Sequence, residues 1–181
     1  MNIITTTIPE VLILEPTVFG DERGFFFESF NARTWREKTG LECQFVQHNH
    51  SRSSYGVLRG LHYQIQQPQG KLVRVIAGEV FDVAVDIRRS SPTFGKWFGT
   101  LLSAENKRQM WVPEGFAHGF CVTSEFAEFL YLTTDYWAPD HERCIAWNDP
   151  DLKVTWPLEC EPVVSAKDRN GKPLSSAELY P

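Results

Sequence analysis

The sequence predicts a mainly β fold, an antiparallel sandwich or barrel of jelly-roll (cupin-like) type with a few short peripheral helices. Three observations lead there. Short runs of β-branched and aromatic residues are punctuated by Gly, Pro and Ser roughly every 8–12 residues. Aromatic residues make up 13% of the chain, a level suited to half-buried sheet faces and to pockets that stack against rings. The 181 residues are 42% hydrophobic, enough to bury one core without disulfide or metal staples, so residues 1–181 are expected to form a single domain.

Along the chain, Ile3 to Leu14 and then Gly24-Phe-Phe-Phe27 read as strands separated by turns at Glu15-Pro16 and Phe19-Gly-Asp21. Residues 31–40 predict a short peripheral helix, with Asn31 as N-cap and Gly40 at its stop. In Val80 to Ile87, Phe81, Val83, Val85 and Ile87 alternate with Val80, Asp82, Ala84 and Asp86. That period predicts one face in the core and the other toward water or a polar cavity. Phe126 to Thr133 repeats the pattern and puts Ala127, Phe129, Tyr131 and Thr133 together. The tail from Ala138 is rich in Pro and charge, and Ser176 to Tyr180 predicts a final helical turn.

Composition excludes some partners. A net charge of -5 argues against a nucleic-acid binder, whose affinity comes from neutralising phosphates, although a local Arg and Lys cluster can still hold a small anion. The four cysteines form no Cys-x-x-Cys pair and follow no leader, which predicts reduced thiols in the cytoplasm. Apolar runs are broken by charge well before the roughly 20 residues a bilayer demands, so a soluble protein is expected.

Four of the five histidines fall in three segments where polar groups stand among strand residues: Gln47-His-Asn-His-Ser-Arg52, Leu58-Arg-Gly-Leu-His-Tyr63 and Val112-Pro-Glu-Gly-Phe-Ala-His-Gly119. Pro113-x-Gly115-x-x-His118 resembles the second half of the cupin signature, whose histidine often binds metal. The first half is incomplete, because His62-Tyr63-Gln64 lacks a second histidine. His48-x-His50 has the period that places two imidazoles on one strand face and keeps a metal reading open, but no carboxylate sits at a matching offset.

Five motifs in order, Phe19-Gly-Asp-x-Arg-Gly-Phe-Phe-x-Glu28, Gln47-x-Asn-His-Ser-Arg52, Val57-Leu-Arg-Gly-Leu-His-Tyr-Gln64, Gly70-Lys-Leu-Val-Arg74 and Val112-Pro-x-Gly-Phe-Ala-His-Gly-Phe120, resemble the dTDP-4-dehydrorhamnose 3,5-epimerase family. The resemblance runs from residue 19 to about residue 171. It implies a metal-independent homodimer without cofactor that inverts the carbons flanking the ketone of a dTDP-linked 4-keto-6-deoxy sugar. By the same resemblance His62 is the base, Asp168 its supporting carboxylate, Tyr131 the opposing acid and Lys71 the cation at the enolate oxygen.

These roles suit the residue types. An imidazole with an ordinary pKa of about 6.5 can take a proton acidified by a neighbouring ketone, and a charge at the developing oxyanion lowers the barrier. Arg23, Arg59 and Lys167 match family positions that contact the substrate, and guanidinium forks suit a diphosphate. Glu28, Gln47, Asn49 and Glu142 match contacts to the base or sugar. Phe26 and Trp137 are candidates to flank thymine or sugar, and His118, with Asp82 as partner, matches a second pocket histidine. His48, where the family usually has Asp, lies in the segment that contacts the nucleotide. The family exchanges its N-terminal strands between subunits, so Arg23 and Glu28 are expected to serve the partner's pocket.

Strict alternation sends Arg59 and His62 to opposite faces, so a bulge at Gly60 is expected if both line one pocket. Three rival readings remain: an epimerase that acts at one carbon or on another deoxysugar nucleotide, a metal-binding cupin such as a dioxygenase, and a sugar-nucleotide binder without catalysis.

Overall fold

A computed structural model describes all residues 1–181. Its strands are β1 (Asn2–Thr5), β2 (Leu12–Glu15), β3 (Phe19–Asp21), β4 (Gly24–Phe26), β5 (Gln47–Ser54), β6 (Leu58–Gln64), β7 (Lys71–Ala77), β8 (Glu79–Asp86), β9 (Trp97–Ser103), β10 (Gln109–Val112), β11 (Phe116–Val122), β12 (Phe126–Thr133) and β13 (Glu142–Cys144). Two helices accompany them, α1 (Ala32–Thr39) and α2 (Ala166–Arg169). A six-stranded sheet runs β1-β2-β10-β7-β12-β5, a five-stranded sheet runs β13-β6-β11-β8-β9, and β3-β4 stand apart as a ribbon. Strands in both sheets pair antiparallel, as the short alternating runs predict.

The sheets face each other over a core built from both. Val73, Val75, Met110 and Phe129 come from the first sheet, and Val80, Ala84, Leu102 and Phe120 from the second. This is a β-sandwich with interdigitated inner faces. Helix α1 forms where expected: the Asn31 side chain accepts from the backbone N–H of Arg33 and Thr34, and Gly40 closes the helix in the left-handed region at φ 70°. It is not merely peripheral. Trp35 is buried against Trp111 and Phe45 and seals the outer face of the six-stranded sheet.

Two expectations need correction. The Val83, Val85 and Ile87 face of β8 packs in a core as expected, in a second cluster covered by Leu152, Leu174 and Ala177 of the C-terminal tail. The alternate face does not open to water: Val80 and Ala84 join the core between the sheets, and Asp82 and Asp86 are fully buried, Asp82 against His118 and Asp86 against Arg88, Ser91 and Thr93. The final turn also falls earlier than residues 176–180: a 3₁₀ turn spans Leu174–Ser176, and Tyr180 lies extended beside Arg88. Tyr180 is held there by its hydroxyl, which donates to the Gln64 carbonyl.

The irregularity expected at Gly60 is present. His118 pairs with His62, but Phe120 pairs with Arg59, so β6 carries one extra residue against β11. Gly60 has φ 127°, and a Cβ there would lie 2.8 Å from the His118 carbonyl oxygen. Gly119 meets it from the other side, its own Cβ position lying 2.7 Å from the Arg59 carbonyl oxygen. Only two glycines allow this approach. Gly60→Ala is therefore expected to destabilise the fold by at least about 1–3 kcal/mol, read as a lower urea midpoint.

Candidate active site

The bulge turns Arg59 and His62 to the same side, where both line a cleft that opens between the sheets. The cleft has two adjoining lobes of about 230 and 300 Å³ that share His62, Lys71, Tyr131, Trp137 and Glu142. His62 stands on β6 of the five-stranded sheet, whereas Tyr131 on β12 and Lys71 on β7 come from the six-stranded sheet opposite.

His62 is flanked in its sheet by His118 on one side and Cys144 on the other. Its Nε2 is hydrogen-bonded to Asp168 Oδ1, which fixes the imidazole with Nε2–H donating and Nδ1 bearing the free lone pair. The other carboxylate oxygen accepts from Ser165 Oγ at 2.8 Å, while Ser165 Oγ accepts from the Asp168 backbone N–H at 3.1 Å and so caps α2. Burial pulls the His62 pKa below its ordinary value, and the Asp168 carboxylate offsets only part of that pull. The imidazole is therefore neutral at neutral pH. For Asp168 burial acts upward, but the bonds from His62 and Ser165 outweigh it and hold the carboxyl below its usual range.

Lys71 is buried, only 9% exposed, and burial pulls its pKa to about 8, with the Glu142 and Asp82 charges acting the other way. It follows Gly70, whose N–H donates to Thr134 Oγ1 at 2.8 Å and whose α-carbon lies against the Trp111 ring. Burial, then the charge of Glu142, pushes the Tyr131 phenol above its ordinary value, so it stays protonated. His118 Nε2–H donates to Asp82 Oδ1 at 2.9 Å, and Asp82 is fully buried with Oδ2 unpartnered. On the open side Gln47 donates to Asn49 Oδ1 at 2.9 Å and accepts from the Trp137 backbone N–H at 3.0 Å, and Lys167 pairs with Glu142 at 2.8 Å. Arg59 donates to Ser53 Oγ at 3.1 Å.

The cleft thus gathers His62, Lys71, Tyr131, Asp168, Gln47, Asn49, Arg59, His118, Trp137, Glu142 and Lys167, as the sequence analysis expects. Four expected residues lie elsewhere in the chain. His48 is exposed on the opposite face of β5, because Gln47, Asn49 and Ser51 take the cleft face by alternation. The same phase removes His48-x-His50 from His62 and His118, and His50 instead meets Glu128 at 3.0 Å. Arg23, Phe26 and Glu28 belong to the β3-β4 ribbon and the residues after it. There Arg23 pairs with Asp21, Phe26 is 70% exposed, and Glu28 accepts from Asn31.

Sequence reasoning missed Gln64, Gln69 and Ser51, which also line the cleft, and Cys144, whose Sγ is 3.8 Å from Asp168 Oδ1. Gln64 was already visible in the Val57–Gln64 motif, two residues after His62 on the same face. Nothing in the three-residue strand β13 announced Cys144.

A family model described as dTDP-4-dehydrorhamnose 3,5-epimerase matches residues 5–176. The chain belongs to this family. It is 65% identical over 181 residues, all of both chains, to the dTDP-4-dehydrorhamnose 3,5-epimerase of Pseudomonas aeruginosa. Its fold superposes with a TM-score of 0.97 on the dTDP-6-deoxy-D-glucose-3,5-epimerase of Legionella pneumophila in complex with dTDP-4-keto-L-rhamnose. That relative is 56% identical, with 99% of this chain and 97% of the other covered. A 3′-monoepimerase from Streptomyces bikiniensis in complex with dTDP-quinovose is also similar, at TM-score 0.90 and 32% identity over 95% of this chain and 87% of the other. The chain is accordingly a carbohydrate epimerase, an isomerase.

Because Asp168 raises the His62 pKa against the pull of burial, Asp168→Asn is expected to lower it further. An NMR titration of the imidazole carbon-bound protons reads that direction; an upward move would contradict the assignment.

Proposed function

We propose that the chain converts dTDP-4-dehydro-6-deoxy-D-glucose to dTDP-4-dehydro-L-rhamnose by inverting C3 and C5, with no metal or other cofactor. The observation that carries this reading is the origin of His62 and Tyr131 on opposing sheets of one cleft, with Lys71 on the Tyr131 side. Inversion needs removal of a proton on one face of the sugar and its return on the other. His62 Nδ1 takes the proton from the carbon beside the C4 ketone, and the bonding pair moves to the ketone oxygen as an enolate. The Lys71 ammonium stabilises that oxyanion in a buried site, where charge counts for more than in water. Tyr131 then protonates the carbon from the opposite face and recovers a proton from solvent, while Asp168 supports the imidazolium until it releases its extra proton to solvent.

Binding follows from the rest of the cleft. Arg59 and Lys167 supply cationic groups for the diphosphate of an anionic substrate in an acidic protein, and Gln47, Asn49, Trp137, Glu142 and His118 are assigned to the base and sugar. Arg23, Phe26 and Glu28 enter through a homodimer. The ribbon carries Phe19, Phe25 and Phe26 at 63–70% exposure, an apolar edge suited to cover by a second copy whose cleft it would complete. His48 faces away from the substrate in this reading. The chain acts as one domain in the cytoplasm, which suits its four free cysteines. No helix is long and apolar enough to cross a membrane.

Inversion at two carbons rather than one is favoured by the higher identity to 3,5-epimerases than to the 3′-monoepimerase, since the fold is common to both. The test is proton exchange at C3 and C5 in deuterated water, followed by NMR on chelated protein. Wild type exchanges and inverts both carbons, and His62→Ala abolishes both events. Tyr131→Phe keeps His62-driven exchange but loses inversion, with turnover down roughly 10²- to 10⁴-fold. Exchange at C3 alone would make the chain a single-site epimerase.

The pH profile has a defined shape. His62 must be neutral, so kcat/KM is lost only as pH falls below the ordinary histidine value of about 6.5. Lys71 must be charged, so kcat/KM falls again as pH rises through about 8. Lys71→Arg, which keeps its charge, should remove the alkaline limb at whatever rate survives.

A further inference from the structure

We propose that His62, Cys144 and Asp168 form a zinc site whose occupation switches the enzyme off; the inhibitory part rests on His62 being the base. Cys144 sits directly opposite His62 in the β13-β6 pair, and its Sγ lies 3.8 Å from the same Asp168 oxygen that receives His62. One donor atom from each residue lies within 4.8 Å of the others. Around a tetrahedral zinc with bonds of about 2.0–2.3 Å, donors stand roughly 3.3–3.8 Å apart, so the hydrogen-bonded imidazole and carboxylate must part to admit the ion while the thiol draws in. Imidazole, thiolate and carboxylate are the ligand types zinc takes, and the two anions cancel its charge.

Access is available on the Cys144 side, where the thiol lines a cavity of about 280 Å³ with Arg143, Asn170 and two residues that also line the cleft, Glu142 and Lys167. The nearby cations oppose zinc but are engaged. Lys167 pairs with Glu142 at 2.8 Å, and Arg143 with Glu178 at 2.9 Å. Lys71, on the far sheet, also acts against the ion and limits its affinity.

The consequence follows from the protons. In the working arrangement the neutral ring carries its one proton on Nε2, donated to Asp168, and keeps the Nδ1 lone pair for the sugar. Zinc takes the Nε2 lone pair, so the ring proton must move to Nδ1 and the base has no lone pair left. The Cys144 thiol proton leaves to solvent, one per zinc bound. The cleft itself stays open, so substrate still binds while turnover stops.

The site is tested on chelated, substrate-free protein by titrating cadmium, a spectroscopic stand-in for zinc, and recording the ultraviolet thiolate-to-metal charge-transfer band. The band is expected in wild type and absent in Cys144→Ser and Cys144→Ala, although Cys43, Cys121 and Cys160 remain in both. Zinc should then depress proton exchange in wild type. Each variant should need at least about tenfold more zinc for the same fractional loss from its own zinc-free rate. A band that survives both substitutions, or equal zinc sensitivity, would overturn the site. Zinc that raises the wild-type rate would overturn the inhibition and the metal-free mechanism together. A Cys144-dependent band in a protein that exchanges no sugar proton would support the site and overturn only the proposed epimerisation.

Discussion

The active cleft depends on one close approach, that of β6 to β11 at Gly60 and Gly119. Two backbones can meet there only because neither residue has a Cβ, and the meeting absorbs one extra residue of β6. Without that residue, pleat alternation would send Arg59 to the outer face with Leu61 and Tyr63, which pack under the C-terminal tail. With it, a guanidinium and an imidazole three positions apart share one cavity. A local irregularity of this kind costs the ladder a regular pair and gains a site that period-two geometry cannot build.

The second constraint is burial, which acts oppositely on the groups it surrounds. It keeps His62 neutral, pulls Lys71 toward neutrality and keeps the Tyr131 phenol protonated. An uncharged imidazole, a lysine close to losing its charge and a phenol that holds its proton are the states the proposed enolate chemistry would use. The net charge of -5 plays little part, because exposed charges are screened by water and salt, while those inside the cleft act at short range in a medium of lower dielectric.

Legibility in the sequence followed the range of each interaction. The strands between Gln47 and Thr133 and the capped helix α1 rest on local periodicity and turn chemistry, so they could be read directly. The bulge was also legible, because two residues that must share a pocket violated a strict period at a glycine. What escaped depends on distant chain. The cover over Val83, Val85 and Ile87 of β8 comes from Leu152, Leu174 and Ala177 in a tail with no apolar rhythm. Cys144 reaches His62 only through a three-residue strand with no pattern of its own. His48 was misplaced for a different reason: a motif match conveys neighbourhood along the chain, and on a strand adjacent residues point to opposite faces.

Helix α2 shows how closely local structure and chemistry are joined here. Four residues cannot sustain a helix by their own hydrogen bonds, since nucleation alone is unfavourable and α2 barely passes it. What holds it is a reciprocal cap, in which Ser165 receives the Asp168 N–H and gives its hydroxyl proton to the Asp168 carboxylate. The remaining carboxylate oxygen holds His62. On the C-terminal side, Lys172 donates to the Cys144 carbonyl and Ala146 to the Lys172 carbonyl, which tie the segment to the end of β13 beside the imidazole. One residue, Asp168, therefore both orients the His62 imidazole and completes the cap of the helix that carries it. Cap and imidazole share one carboxylate, so in the metal-free protein the tautomer of the imidazole is set by the fold before any substrate arrives.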